Sequence, residues 1–135
     1  MSDCIFCKII EGEIPAEKIY GNEEVLAFLD INPHTKGHSL VLPKRHYENM
    51  SEAPEDTLAE IMSTVKEISP AIMKAVGAEA FNVGINNGKT AGQEIPHIHI
   101  HIIPRFPEDG LQHWPQGPYE QGEISVMGEK IRNNI

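Results

Sequence analysis

Apolar residues recur along this chain in short runs separated by turn signals, and this pattern predicts five strands. The predicted strands cover residues 17–20, 24–29, 38–42, 80–86 and 97–103. Gly21-Asn22 and Asn32-Pro33 mark turns between the first three strands. A loop of mainly small residues over 87–93 separates the last two.

Residues 54–76 carry the pattern of one long helix. Their apolar side chains recur at three- and four-residue steps, which places them on one helix face. These side chains are Leu58, Ile61, Met62, Val65, Ile68, Ile72 and Val76. Pro54 suits the first helical position, and Gly77 suits a C-terminal cap. Pro70 predicts a kink or a break, because proline inside a helix costs about 3 kcal/mol.

The end of the chain has a different composition. It is rich in proline and glycine between Pro104 and Gly122, after which Ile124, Met127 and Ile131 predict a short final helix. Five strands and one long helix without regular alternation favour an antiparallel α+β fold. The length of 135 residues suits a single domain over residues 1–135.

Charge and cysteine content narrow the class of protein. Eleven Lys and Arg against twenty Asp and Glu give a net charge of −9. This balance argues against a nucleic-acid partner held by bulk charge, although a small nucleotide stays open. We expect no membrane segment, because no long apolar run is present, and no signal peptide, because no basic region at the start leads into an apolar run. Two cysteines without an export signal predict a reducing, cytoplasmic setting.

Three histidines alternate with isoleucines in the last predicted strand. Successive strand side chains point to opposite faces, so His97, His99 and His101 share one face while the isoleucines face the core. Core packing gives no reason for three imidazoles in a row. The pattern therefore indicates metal binding, or nucleophilic or acid–base chemistry.

Cys4 and Cys7 form a Cys-x-x-Cys pair near the start of the chain. A redox pair is the weaker interpretation, because no strand precedes it. A zinc half-site is favoured, and since structural zinc takes four nitrogen or sulfur ligands, two histidines must complete it. The candidates are His46 and one end of the histidine triplet. Two cysteines packed as small hydrophobic residues remain the alternative.

Small and polar residues near the triplet suit an anion. Gly88, Gly92 and Gln93 precede the histidine strand, where unhindered backbone N–H groups can bind a phosphate. Asp30 ends a predicted strand and can accept hydrogen bonds from ribose hydroxyls.

The segment His97-Ile98-His99-Ile100-His101 resembles the signature of the histidine triad (HIT) superfamily. Further segments resemble those of Hint-type proteins in the same order, at residues 5–10, 13–16, 30–33, 37–44 and 92–94. The region after Arg105 is poorly covered. The resemblance implies a five-stranded antiparallel sheet with one long helix and short terminal helices, and a homodimer formed through helix and sheet.

The resemblance also implies hydrolysis or transfer at the α-phosphate of a purine nucleotide. His99 would attack phosphorus and form a nucleotidyl-histidine intermediate, His101 would contact the phosphate, and His38 would support His99. Asp30 and Ile31 match ribose and base contacts, with Phe6 and Phe28 as walls of the base pocket. The matches around ribose and phosphate are Asn86, Gly92, Gln93 and Glu94, the last where some members have a serine.

Bacterial-type members that carry zinc match this chain at Cys4, Cys7, His46 and His97. Zinc would be structural there and would tie the amino-terminal segment 1–12 to the histidine strand. The tail over 105–135 would shape substrate choice, with Trp114 packing the tail or contacting a partner's pocket. We expect His34 and His113 to lie in solvated loops.

Two enzyme classes and one binding class follow from these features. A Hint-like nucleoside phosphoramidase is favoured by the amino-terminal segment. A Fhit-type dinucleoside polyphosphate hydrolase would share His99 and differ in the second half of its substrate. The third class is a non-catalytic, zinc-stabilised nucleotide-binding module that regulates a partner, against which the intact His99 argues.

Overall fold

A computed structural model of the chain describes residues 3–135, and five strands in it form one antiparallel sheet. The sheet order is β1-β2-β3-β5-β4. The strands are β1 (Lys18–Gly21), β2 (Val25–Leu29), β3 (Ser39–Pro43), β4 (Ala80–Ile85) and β5 (Ile100–Arg105). The predicted α+β class is confirmed. Met1 and Ser2, which belong to the predicted segment 1–12, lie outside the described residues.

Three α-helices accompany the sheet: α1 (Ile5–Ile10), α2 (Glu55–Val76) and α3 (Glu123–Arg132). Cys4 caps α1, because its sulfur accepts the backbone N–H of Cys7. Gly77 ends α2 in the left-handed conformation, as a C-terminal glycine does. Among residues 3–135, no helix combines the length and apolar character that crossing a membrane requires.

The sequence predicted a kink or a break at Pro70; the break is absent, since α2 continues through this residue. Proline removes one helical hydrogen bond, which would have gone to the carbonyl of Lys66 four residues earlier. Both residues lie on the exposed side of α2, so water can satisfy the carbonyl that proline leaves free.

The central strands β2 and β3 are covered on both faces, which explains their nearly continuous apolar sequences. Ile98, Ile100 and Ile102 are buried in one cluster with apolar residues of α2, as the alternation predicted. A second cluster joins α1 to the neighbouring strands, with Phe6 against Phe28, Leu40 and Leu42. The burial of each such side chain stabilises the fold by about 1.5–3 kcal/mol.

The last strand begins later than the predicted range 97–103. Because Ile98 donates its N–H to the carbonyl of Tyr47, at 2.8 Å, this part of the chain bonds to the loop after β3. Regular pairing starts at Ile100 and runs to Arg105. His97 and His99 therefore lie just before β5, and His101 lies in it.

Candidate functional site

Two groups of chemically active side chains flank the beginning of β5. The first, the sulfur–histidine cluster, consists of Cys4, Cys7, His46 and His97. The second, the histidine–aspartate cluster, consists of Asp30, His38 and His101. The ring of His99 lies beside the second, with its centroid 4.9 Å from that of His101.

The sulfur–histidine cluster has the spacing of a tetrahedral metal site. Zn–S bonds of about 2.3 Å and Zn–N bonds of about 2.0–2.1 Å place S and N about 3.6 Å apart and two nitrogens about 3.3 Å apart. Cys4 Sγ and Cys7 Sγ each lie 3.6 Å from His97 Nδ1. His46 Nδ1 lies 3.3 Å from Cys7 Sγ and 3.2 Å from His97 Nδ1. The donor set and its distances therefore fit a zinc ion.

Hydrogen bonding and burial prepare these groups as ligands. His97 Nε2 donates to the carbonyl of Pro43 at 2.8 Å, which leaves its Nδ1 lone pair facing the cysteines. Burial lowers the pKa of His97 to about 4, so its ring stays neutral. Burial, together with the neighbouring Cys4, raises the pKa of Cys7 to about 11. A cation between the two sulfurs would favour their ionised form.

His99 is oriented by the main chain. Its Nδ1–H donates to the carbonyl of His97 at 2.7 Å, so the lone pair of the ring lies on Nε2. Burial lowers the pKa of His99, and the edge of the Phe6 ring packs against it with centroids 5.0 Å apart. The arrangement presents a neutral imidazole with a free nitrogen.

His38 and His101 continue a chain of hydrogen bonds. The backbone N–H of His34 donates to His38 Nδ1 at 3.1 Å, so His38 carries its proton on Nε2. That proton is donated to His101 Nδ1 at 2.9 Å. His101 must then carry a proton on Nε2, where it can be given to a ligand. Burial lowers the pKa of His38 and of His101, to about 4 for His101.

Asp30 completes this cluster from the end of β2. Its Oδ2 lies 3.7 Å from His38 Nε2, and its Oδ1 accepts the backbone N–H of Asn32. The side chain is partly exposed, so a ligand can reach it. Ile31 beside it is exposed. Phe6 and Phe28 are buried together, with their rings edge to face.

The loop after β4 carries the remaining residues that were predicted to contact the ribose and phosphate. Gly92 adopts a left-handed conformation, and a Cβ there would lie 3.6 Å from Nδ2 of Asn86. The amide of Gln93 accepts from Gly88 and donates to the carbonyl of Glu48, so it braces the loop. Glu94 is exposed.

Sequence reasoning missed the surroundings of His101. A cavity of about 470 Å³ beside it is lined by His34, Asn82, Arg105 and by tail residues including His113 and Trp114. His34 and His113 are exposed, as expected, yet both line this cavity. The ring of His34 also stacks on that of His38. The four-residue spacing of His34 and His38 in one loop was the available signal.

Known proteins match this chain over most of its length. Residues 11–108 match the HIT domain family. The adenosine 5′-monophosphoramidase hnt1 of Schizosaccharomyces pombe is 45% identical over 134 residues, which cover 98% of each chain. The crystal structure of SMU.412c from Streptococcus mutans UA159 is 40% identical and superposes with a TM-score of 0.92, covering 99% of this chain and 86% of that one.

A relative with bound metal has the same fold. It is the Zn-bound histidine triad family protein from Mycobacterium smegmatis, 34% identical with a TM-score of 0.79, covering 98% of this chain and 96% of that one. The predicted recognition and enzyme class are confirmed by the family match and by a relative named as a phosphoramidase. The chain belongs to the HIT domain family.

Proposed function

We propose that this chain hydrolyses purine nucleotide adducts at the α-phosphate and releases a nucleoside monophosphate, with His99 as the nucleophile. The observation that carries the proposal is the hydrogen bond from His99 Nδ1 to the carbonyl of His97, which leaves Nε2 free. A buried, neutral imidazole is a good nucleophile near pH 7. The name of the fission yeast relative supports a phosphoramidate as the substrate.

The reaction would take place in two displacements. His99 Nε2 would form a bond to phosphorus while the bond to the leaving amine breaks, and the amine would take up one proton from solvent as it departs. Water would then attack phosphorus and break the P–Nε2 bond, which releases one proton to solvent and returns His99 to its neutral form. Two inversions would give overall retention at phosphorus. Covalent catalysis of this kind divides one difficult step into two easier ones.

His101 and His38 would stabilise the charge on the phosphate. The chain of hydrogen bonds from His34 through His38 leaves a proton on His101 Nε2. A hydrogen bond from His101 Nε2 to a phosphate oxygen would strengthen as negative charge develops in the transition state. His38 would act through His101 and is therefore a positioning residue in this scheme.

The nucleoside would bind on the side of Asp30. The Asp30 carboxylate would accept hydrogen bonds from the ribose hydroxyls. Ile31 would lie against the base, and Phe6 and Phe28 would form walls of the base pocket. Asn86, with Gly92, Gln93 and Glu94, would border the ribose and phosphate. The brace that Gln93 makes within its loop supports an indirect role, in which it holds backbone N–H groups toward the phosphate.

Zinc would be structural in this protein. Cys4, Cys7, His46 and His97 would hold the ion and leave no open position for a substrate. When bound, the ion would supply a cross-link between the amino-terminal segment and the beginning of β5. We also propose a cytoplasmic location, which keeps both cysteines reduced for this role.

A second copy of the chain is the proposed partner. β4 is an edge of the sheet with Phe81 and Val83 exposed, and a groove beside it is lined by Met62 and Pro70 of α2. An uncovered strand edge next to an apolar helix face suits pairing with another β4.

Release of AMP from adenosine 5′-phosphoramidate tests the proposed reaction. We expect turnover by the natural protein and a loss of at least about 10³-fold in His99→Ala. Affinity for AMP should persist in the variant, which serves as the control for folding. A nucleotidyl adduct on His99 should be detected by intact-mass spectrometry after quenching in base.

Three results would overturn all or part of the proposal. Unchanged activity in His99→Ala would exclude the covalent mechanism. Absence of turnover with both the phosphoramidate and a diadenosine polyphosphate, despite AMP binding, would favour the binding module. Faster turnover of the diadenosine polyphosphate would favour the Fhit-type activity instead.

A further inference from the structure

Arg105, the last residue of β5, joins three parts of the molecule. Its Nη1 donates to Oδ1 of Asn82 in β4 at 2.8 Å. Its Nε and Nη2 donate to the two carboxylate oxygens of Asp109, at 2.8 and 3.2 Å. Nη2 also donates to the carbonyl of Leu111 at 3.1 Å. One guanidinium therefore ties the sheet edge to the turn over 106–110 and to Leu111, which follows that turn.

Asp109 holds the same turn from inside. Its carboxylate accepts the backbone N–H groups of Phe106 and Leu111, both at 3.0 Å. Within the described chain, Glu108 is the one residue other than glycine with a positive φ, at 61°. The Arg105 guanidinium and the two N–H groups keep the pKa of the Asp109 carboxyl well below its usual range. The turn is therefore fixed by charged hydrogen bonds over the whole range of ordinary pH.

The tail that leaves this turn enters the cavity beside His101. Leu111, Gln112, His113 and Trp114 line that cavity of about 470 Å³ together with His34 and His101. These tail residues follow no regular helix or strand, so their course depends on where the turn releases them. Since His101 would bind the α-phosphate, the cavity begins next to the bond that breaks.

We propose that the Arg105–Asp109 pair is a positioning element for the leaving group. It sets the course of residues 111–114, which form one wall of the cavity, and thereby determines how well a bulky leaving group is held. This inference rests on the proposed phosphoramidase function. It gives the turn and the tail a role in that function, although neither is among the residues proposed to contact the nucleoside. Arg105 lines the cavity, whereas Asp109 does not and would act only through Arg105 and the tail.

The activity test compares Asp109→Asn with Glu108→Gln. The two changes remove one carboxylate each from the same turn, but only Asp109 accepts the hydrogen bonds of Arg105. The substrates are adenosine 5′-phosphoramidate, which releases ammonia, and its counterpart with an aromatic amine. For Asp109→Asn we expect kcat/KM to fall about tenfold for the substrate that releases the aromatic amine. For adenosine 5′-phosphoramidate, which releases ammonia, it should fall less than about twofold. Glu108→Gln should behave as the natural protein with both.

Arg105→Lys provides a second variant, because it keeps the positive charge and loses the planar fork. It should lower kcat/KM for the aromatic amine in the same way as Asp109→Asn. An equal fall with both substrates, or no fall with the aromatic amine in Asp109→Asn, would overturn the proposal.

A second readout does not depend on activity. Trp114 is the only tryptophan, so its fluorescence anisotropy reports the motion of the tail alone. Asp109→Asn should increase the fast motion of Trp114 and speed hydrogen exchange over residues 106–114, whereas Glu108→Gln should change neither. If the natural protein turns over neither substrate, the proposed function fails. The anisotropy and exchange measurements would still show whether the Arg105–Asp109 pair fixes the course of the tail. Unchanged anisotropy and hydrogen exchange in Asp109→Asn would overturn the proposal that the Arg105–Asp109 pair positions the tail.

Discussion

His38 and His101 share a hydrogen bond of 2.9 Å, and their surroundings keep both rings neutral. Burial, with His99 and His38 adding to it, lowers the pKa of His101 from 6.5 to about 4. In the unfolded chain this ring takes up a proton near pH 6.5, so between about pH 4 and 6.5 the unfolded state binds more protons. We expect the free energy of unfolding to be highest above pH 6.5 and to decrease as the pH falls toward 4.

Urea unfolding at pH 5 and pH 7 measures this contribution. His101→Gln keeps an acceptor for His38 and removes the titrating ring, so the difference between the two pH values should shrink. His113→Gln is the matched control, because His113 is exposed and is not among the hydrogen-bond partners of the His38 ring, which are His34 and His101. A pH dependence in His101→Gln equal to that of the natural protein would contradict the assignment.

The separate roles of His97 and His99 show where sequence reasoning ends at the scale of residues. Their alternation with isoleucines predicted that they share one side of the sheet segment. The choice of nitrogen was beyond prediction, because it depends on carbonyls from other parts of the chain. Pro43 accepts from Nε2 of His97, whereas the carbonyl of His97 accepts from Nδ1 of His99. His97 therefore turns Nδ1 toward the cysteines, whereas His99 keeps the lone pair on Nε2 that the proposed reaction requires.

Helix α1 is joined to the sheet by the sulfur–histidine cluster as well as by the apolar packing of Phe6. It has only six residues, too few to be stable alone, and Cys4 and Cys7 link it to His46 and His97. We expect a strong chelator to lower the melting temperature by more than about 10 °C, while protein that is still folded keeps most of its turnover. Thermal melting with and without the chelator, followed by an activity assay below the transition, checks both parts.

Cys4→Ser separates metal binding from helix capping. Serine retains an N-terminal cap for α1 and removes one proposed ligand. The variant should melt at the temperature of the chelated natural protein and should not respond further to the chelator. Equal melting temperatures of the natural protein with and without chelator would argue against the zinc site.

The loop that carries His38 is held against α2 at Gly37. This glycine has a φ of 93°, and an added Cβ would lie 2.8 Å from Cγ1 of Val76 and 3.2 Å from Cγ of Pro104. Gly37→Ala should therefore destabilise the fold by about 1–3 kcal/mol, measured by urea unfolding. Gly12→Ala is the control, because Gly12 has a φ of 83° with no atom within 4 Å of the added Cβ. Gly37→Ala should lose more free energy of unfolding than Gly12→Ala, and the difference is the cost of the steric contacts. Equal losses in the two variants would contradict the close packing at Gly37.

At the scale of elements, local patterns predicted most of the fold. Five strands, the long helix and the final helix followed from period and turn residues. The late start of β5 did not, because the hydrogen bond from Ile98 to Tyr47 is a contact between distant parts of the chain. The break expected at Pro70 was wrong, because the intrinsic cost of proline is offset when the packed face of the helix, including Ile68 and Ile72, remains buried.

The whole molecule leaves apolar surface uncovered in a single copy. Every residue of α3 except Gly128 is exposed, among them Ile124 and Ile131, and a ten-residue helix is marginal in water without a partner surface. The exposed edge of β4 has the same character. These surfaces together suit burial against a second copy, even though the tail and β4 are apart in sequence.

The two edges of the sheet allow a matched test of the proposed dimer. Val83 in β4 and Ile19 in β1 are each 41% exposed, so lysine at either position adds a charge to a comparable edge strand. We expect light scattering to give twice the mass of one chain for the natural protein and for Ile19→Lys, but the mass of a single chain for Val83→Lys. Since each copy has a net charge of −9, added salt should strengthen the association by screening repulsion. A single-chain mass for the natural protein, or a dimer broken by Ile19→Lys and kept in Val83→Lys, would contradict pairing through β4.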